Sequence, residues 1–191
     1  MNAMEEVLSF WFEESTPKQW FEKSAKFDLT IAQRFVHICE RAAKGELAYW
    51  RASIRGRLAE IIVLDQFSRN LWRDTPRSFA QDAMALALAQ EAIKQHDYNL
   101  LTLSQRKFVL MPFMHSESSF IHLQAVELFR MLGDDGTLDF EMRHKAIIDK
   151  FGRYPHRNEI LGRASTQEEI SFLQEPNSSF LGCNQMSPCF V

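Results

Sequence analysis

Residues Ser53–Asn70, SIRGRLAEIIVLDQFSRN, decide the fold. Ser53 is a residue type that caps helix N-termini, and Leu58, Ile61, Ile62, Leu64 and Phe67 follow it at helical spacing. They cover much of the circumference rather than one stripe, which predicts a central helix that other helices enclose. Asp65, Gln66, Arg69 and Asn70 are set into the same segment, so the stretch that predicts the core also carries polar groups a bare core does not need.

The flanking chain is periodic in the same way. Val7, Phe10 and Trp11 share one face of a short amphipathic helix over Glu5–Glu13, and Thr16-Pro17 offers a cap followed by proline at the first helical position. Phe27, Ile31, Phe35, Ile38 and Ala42 recur every three or four residues up to Lys44, and Gly45 stands where a left-handed residue ends a helix. Further helices are expected over Phe79–Gln95, from Ser104 to a break at Pro112, from a Ser116 cap to Gly133, and from about Asp139 to Lys150. A turn at Asn158–Leu161 precedes Gly162, and Ser165 with Glu168 reads as a capping box for a last helix over Thr166–Leu173. The expectation is one all-α domain over residues 1–180, with an irregular tail over 181–191.

Composition agrees with helices. The chain of 191 residues is 46% apolar, and its 7 glycines and 6 prolines are too few for a sandwich of many short strands. A net charge of -3 and a pI near 6.1 give no global field toward nucleic acid or acidic lipid, so neither partner is expected. Cys39, Cys183 and Cys189 are odd in number and lack paired C-x-x-C spacing, which argues against a disulfide framework and a zinc knuckle and favours a reducing cytoplasm. Glu5 and Glu6 stand where a secretory signal carries cations, and the apolar run Ile61–Leu64 is far too short to span a bilayer.

The candidate site centres on His144–Thr166, HKAIIDKFGRYPHRNEILGRAST. It gathers His144, Arg153, His156, Arg157, Asn158 and Arg163 around a Gly152 break. Those cations need acidic partners, and the best candidates are Asp65, beside Arg69, and the His115-Ser116-Glu117 corner. Three segments remote in sequence are therefore expected to meet at one polar centre.

Phe10-Trp11-Phe12, Gly45-Glu46-Leu47, Leu64-Asp65-Gln66-Phe67-Ser68-Arg69-Asn70, Pro112-Phe113-Met114-His115-Ser116-Glu117 and Phe151-Gly152-Arg153-Tyr154-Pro155-His156-Arg157-Asn158 carry a family likeness. In that order and over nearly the whole chain to about Phe180, they resemble the bacterial family catalogued as domain of unknown function 924. The resemblance implies an all-helical, tetratricopeptide-like fold of stacked antiparallel helix pairs, and it implies no established activity. The chain departs from the family pattern in its tail, Leu181–Val191, and at Phe120 and His122, which replace more polar choices.

Each site residue has a plain reading beside its chemical one. Asp65 is either a structural ion pair with Arg69, one helical turn on, or a base that orients a histidine. His115 and Glu117 form the H-x-E of zinc deaminases, but Pro188-Cys189-Phe190-Val191 ends without the second cysteine of P-C-x-x-C, so that reading fails. His115, His144 and His156 show no metal-ligand spacing, and no metal or cofactor is expected. Arg153, Arg157 and Arg163 suit a small anionic ligand, because guanidinium forks grip carboxylate and phosphate; equally, they suit Asp65 and Glu117 as internal partners. Two functions stay open: a binder or enzyme for a small anion, or a helical-repeat module holding a protein or peptide, with the polar cluster purely structural.

Overall fold

The computed structural model describes residues 2–176 and 178. Among the described residues it is all helical. Helix α1 (Ala3–Ser9) runs on as a wide, π-type turn at Phe10–Glu14, and α2 (Pro17–Phe21) begins with the Thr16 cap and proline. Next, α3 (Ala25–Ala43) starts on the Ser24 side chain and is followed by Gly45 at φ 74°.

The central segment is α4 (Ile54–Ile62), a second π-type turn at Val63–Phe67, and α5 (Ser68–Leu71). Ser53 accepts from the Gly56 N–H as the cap. Every residue from Leu58 to Ser68 is buried, so this helix is enclosed on all sides. Gly56 explains how it gets so close to its predecessor: a Cβ there would lie 1.9 Å from the Trp50 carbonyl oxygen. Glu60, fully buried, is answered by Arg51 at 2.6 and 2.7 Å.

The second half comprises α6 (Asp82–Ala92), α7 (Leu103–Met114), α8 (Ser119–Leu132), α9 (Asp135–Phe151) and α10 (Gln167–Leu173). Helix α4 packs on α6 and α7, α7 on α8, and α8 on α9, a serial arrangement consistent with a helical superhelix. The main core runs through Trp11, Phe35, Phe67, Phe108 and Phe113, with Trp11 edge-on to Phe108 at 5.4 Å. A smaller core of Ile147, Ile148 and Tyr154 lies under Phe151 and Phe172.

Several boundaries differ from the sequence expectation. Pro112 does not break α7: it cannot give an N–H to the Phe108 carbonyl one turn back, yet the helix runs on to Met114 and the His115 N–H still reaches the Met111 carbonyl at 3.0 Å. The cap of α7 is Thr102, with Gln105 closing the box; α8 starts after Ser118 rather than Ser116. Helix α9 begins at Asp135, because Asp134 caps it and Gly136 is carried inside. The last capping box is Thr166 with Glu169, one residue later than expected. Asn158–Leu161 forms turns after a 3-10 turn at Pro155–Arg157. The expected tail, 181–191, lies outside the described residues.

Candidate functional site

Asp65 is set in the wide turn Val63–Phe67. Its Oδ1 takes His115 Nδ1 at 2.7 Å and Arg69 at 3.0 Å, and Gln66 donates to Oδ2 at 2.5 Å. Burial alone would raise this carboxyl, but Arg69 and His115 hold it well below the usual carboxylate range. Ionised Asp65 therefore accepts, and His115 Nδ1 donates. Burial, aided by Arg69, pushes the His115 imidazole below its ordinary value, so at neutral pH the ring is uncharged.

Arg69 turns its fork to Asp82 on α6, with two bonds of 2.9 Å. Arg157, from the turn after Gly152, joins the same carboxylate at 3.2 Å and donates to the His115 carbonyl at 3.0 Å. Its guanidinium lies between the rings of Phe79 and Tyr154, 4.5 and 4.6 Å from their centroids. Arg163 grips Glu117 with bonds of 2.6 and 2.9 Å, donates to Asn158 at 3.0 Å and reaches the Tyr154 carbonyl at 3.2 Å. Burial opposes ionisation of Glu117, yet Arg163 and the Tyr154 N–H lower its pKa.

The three remote segments thus meet. Asp65, Arg69, His115 and Arg157 form one continuous network, and Glu117, Asn158 and Arg163 adjoin it through the same corner. Arg153 is elsewhere: it pairs with Glu169 at 2.7 and 2.8 Å and with the Ala164 carbonyl, fastening α10. His144 is buried on α9, its Nδ1 donating to the Phe140 carbonyl at 2.7 Å. The His156 ring lies beside Tyr154, centroids 5.5 Å apart and planes tilted by 35°. Burial takes both imidazoles down to about 3, and Arg157 adds to the effect on His156.

Sequence reasoning missed Asp82, in a segment expected only as a helix over Phe79–Gln95, and it missed the role of Tyr154. It also missed His122 and Glu141, both fully buried and 2.7 Å apart. His122 Nε2 lies 2.8 Å from the Ser116 carbonyl, which can only accept, so Nε2 carries a hydrogen. One further proton must then sit between Nδ1 and Glu141, whose carboxyl burial pushes up. No spacing rule links residues 19 apart on two helices.

A cleft of about 270 Å³ lies away from this network, lined by Phe10, Glu14, Lys26, Phe27 and Arg34. Its main cation, Arg34, is already held by Glu14 at 2.6 Å. Among the described residues no group of three or more His, Cys, Asp or Glu is arranged to hold a metal ion, and no helix is long and apolar enough to cross a membrane.

The fold has a solved counterpart. A protein of unknown function from Agrobacterium tumefaciens is similar at a TM-score of 0.85 and 35% identity, over 90% of this chain and 96% of that one. Residues 7–177 match the family described as bacterial protein of unknown function (DUF924), and the chain belongs to that family. Among curated proteins, none matches.

Proposed function

We propose that the chain is a helical interaction module of tetratricopeptide-like stacking, working in the cytoplasm, that holds an amphipathic helix of a partner protein. On this reading the polar cluster is a lock for the C-terminal segment. The burial of Arg157 carries the reading: it is 6% exposed, with its guanidinium committed to Asp82 and the His115 carbonyl. Asp65 and Asp82 balance Arg69 and Arg157, so the network is neutral with His115 uncharged and needs no ligand to complete it.

Helix α8 supports the partner side. Phe120, Leu123 and Met131 are 66%, 59% and 80% exposed and recur along one helical stripe, the spacing with which one amphipathic helix reads another. Glu127 lies on the same stripe between Leu123 and Met131 and pairs with Arg130, placing one charged contact within the apolar face. A photo-crosslinking residue placed at Leu123 in cells should give a discrete adduct that the same residue at exposed Leu29 does not. Equal labelling at both positions would remove the α8 face from consideration.

One observation favours a second reading, a small anionic ligand at the cluster of Asp65, Arg69, His115, Glu117, His156 and Arg157. Arg157 Nε and His156 Nδ1 are buried without a hydrogen-bond partner among the described residues. Melting with and without inorganic phosphate and citrate separates the two. A rise that Arg157→Met abolishes supports the ligand, and no rise supports the lock.

A further inference from the structure

A lock explains the ion pairs but not how rigidly one imidazole is held. Four consecutive residues of the corner after α7 are each tied down. The Met114 carbonyl accepts from Tyr154 at 2.5 Å, the His115 carbonyl from Arg157 at 3.0 Å, and the Ser116 carbonyl from His122 at 2.8 Å, while the Glu117 carboxylate takes Arg163 and the Tyr154 N–H. The backbone that carries His115 is thus fixed from both sides.

Its partner is aimed just as specifically. Asp65 lies in a π-type turn, a form well under 1% of residues and concentrated at working sites, because the extra residue rotates side chains off the regular helical face. With Nδ1 donating to Asp65, Nε2 keeps its lone pair, and 16% of the side chain remains open to solvent. Structural ion pairing needs neither the orientation nor the opening.

We propose that the Asp65–His115 couple is a reaction site, with His115 Nε2 as nucleophile or general base toward a small activated acyl compound and Asp65 as its positioning residue. The charge balance selects the class: Asp65 and Asp82 offset Arg69 and Arg157, leaving no net cation for a phosphate dianion, whereas an uncharged acyl carbon makes no such demand. Nε2 gives its lone pair to the acyl carbon and the leaving group departs with the bonding pair. Water then cleaves the acyl-imidazolium, releasing the carboxylic acid and one proton and restoring the neutral ring. Arg157 enters only indirectly, by donating to the His115 carbonyl at 3.0 Å and so fixing the backbone that carries the ring.

The test uses the full chain and p-nitrophenyl acetate. His115→Gln should lower the second-order rate at least about tenfold, and Asp65→Asn should do the same because a neutral amide no longer balances the positive charge that develops on the acylated ring. Loss of exposed His37 and His96 together should leave the rate unchanged. The groups around the residue are Asp65, Arg69, Asp82 and His144, with Arg157 on its carbonyl, and because burial lowers the imidazole the rate should fall with acid only below the range in which a free imidazole titrates. Equal rates for His115→Gln and the parent, or a loss confined to the His37 and His96 variant, overturn the proposal.

Should either site variant fail to fold, diethyl pyrocarbonate on the parent chain decides the matter. Peptide mapping at pH 6 should find His115 acylated at least as fast as His37, and modification of His37 with His115 untouched overturns the proposal. That failure would leave the α8 interaction reading standing, because its crosslinking test does not involve His115.

Discussion

Tyr154 donates its hydroxyl to the carbonyl of Met114 at 2.5 Å, closing a link across 40 residues in a fully buried setting. Its ring meanwhile faces His144 edge-on and lies beside His156. The bond joins the turn after α9 to the end of α7, the seam on which both the lock and the His115 corner depend. Tyr154→Phe keeps the ring and strands a buried carbonyl, so chemical denaturation should show a loss of about 2 kcal/mol. An unchanged midpoint would mean the carbonyl finds another donor.

Removing Arg157 breaks two contacts at once. In Arg157→Met the hydrophobic stem still fills the space between Phe79 and Tyr154, but the His115 carbonyl loses its donor and Asp82 keeps only Arg69. The loss should be about 3 kcal/mol in equilibrium unfolding. Arg153→Met touches only the α10 end and should cost clearly less.

Gly56→Ala sets helix propensity against packing. Alanine is favoured by about 1 kcal/mol in a helix interior, yet the added Cβ would sit 1.9 Å from the Trp50 oxygen, a backbone atom that cannot swing away. Packing should win, with a net loss of about 3 kcal/mol read from urea unfolding. A stabilised variant would contradict the close approach of α4 to the Trp50 turn.

Acid should act first through buried imidazoles. His144 and His156, held at about 3 in the fold, titrate near 6.5 once unfolded. A depressed folded value means the stabilisation is complete above the unfolded value and fades as pH falls from about 6.5 toward 3, at about 1.4 kcal/mol per pH unit for each ring. Urea midpoints between pH 7 and 5 should drop, and His156→Gln should flatten that slope. The lowered carboxyls of Asp65 and Glu117 enter only near and below about pH 4, so the loss between pH 7 and 5 is dominated by the imidazoles and the two effects overlap only below that.

Much of the helical order was legible from residues alone. Ser53, Gly45, Gly133 and Gly152 mark real boundaries, because caps and left-handed glycines act within one turn. Pro112 misled, since a proline weakens a helix without always ending it, and Thr166 and Ser165 differ by one residue that spacing rules do not resolve. At the site, residue types were readable while partners were not. Arg153 and Arg157 stand four apart, yet one fastens α10 and the other meets Asp82 under Phe79.

Sequence by itself determined that this chain builds helices, that Ser53–Asn70 runs through their middle, and which cations and acids are available to pair. Periodicity and capping are local, and local chemistry is printed along the chain. Only tertiary structure decided that Asp82 sits between two arginines, that Arg157 is buried, and that His115 presents one nitrogen while Asp65 holds the other. Those outcomes follow from how α6, α7 and the turn after Gly152 approach one another, a summed packing result over many side chains that no single stretch encodes.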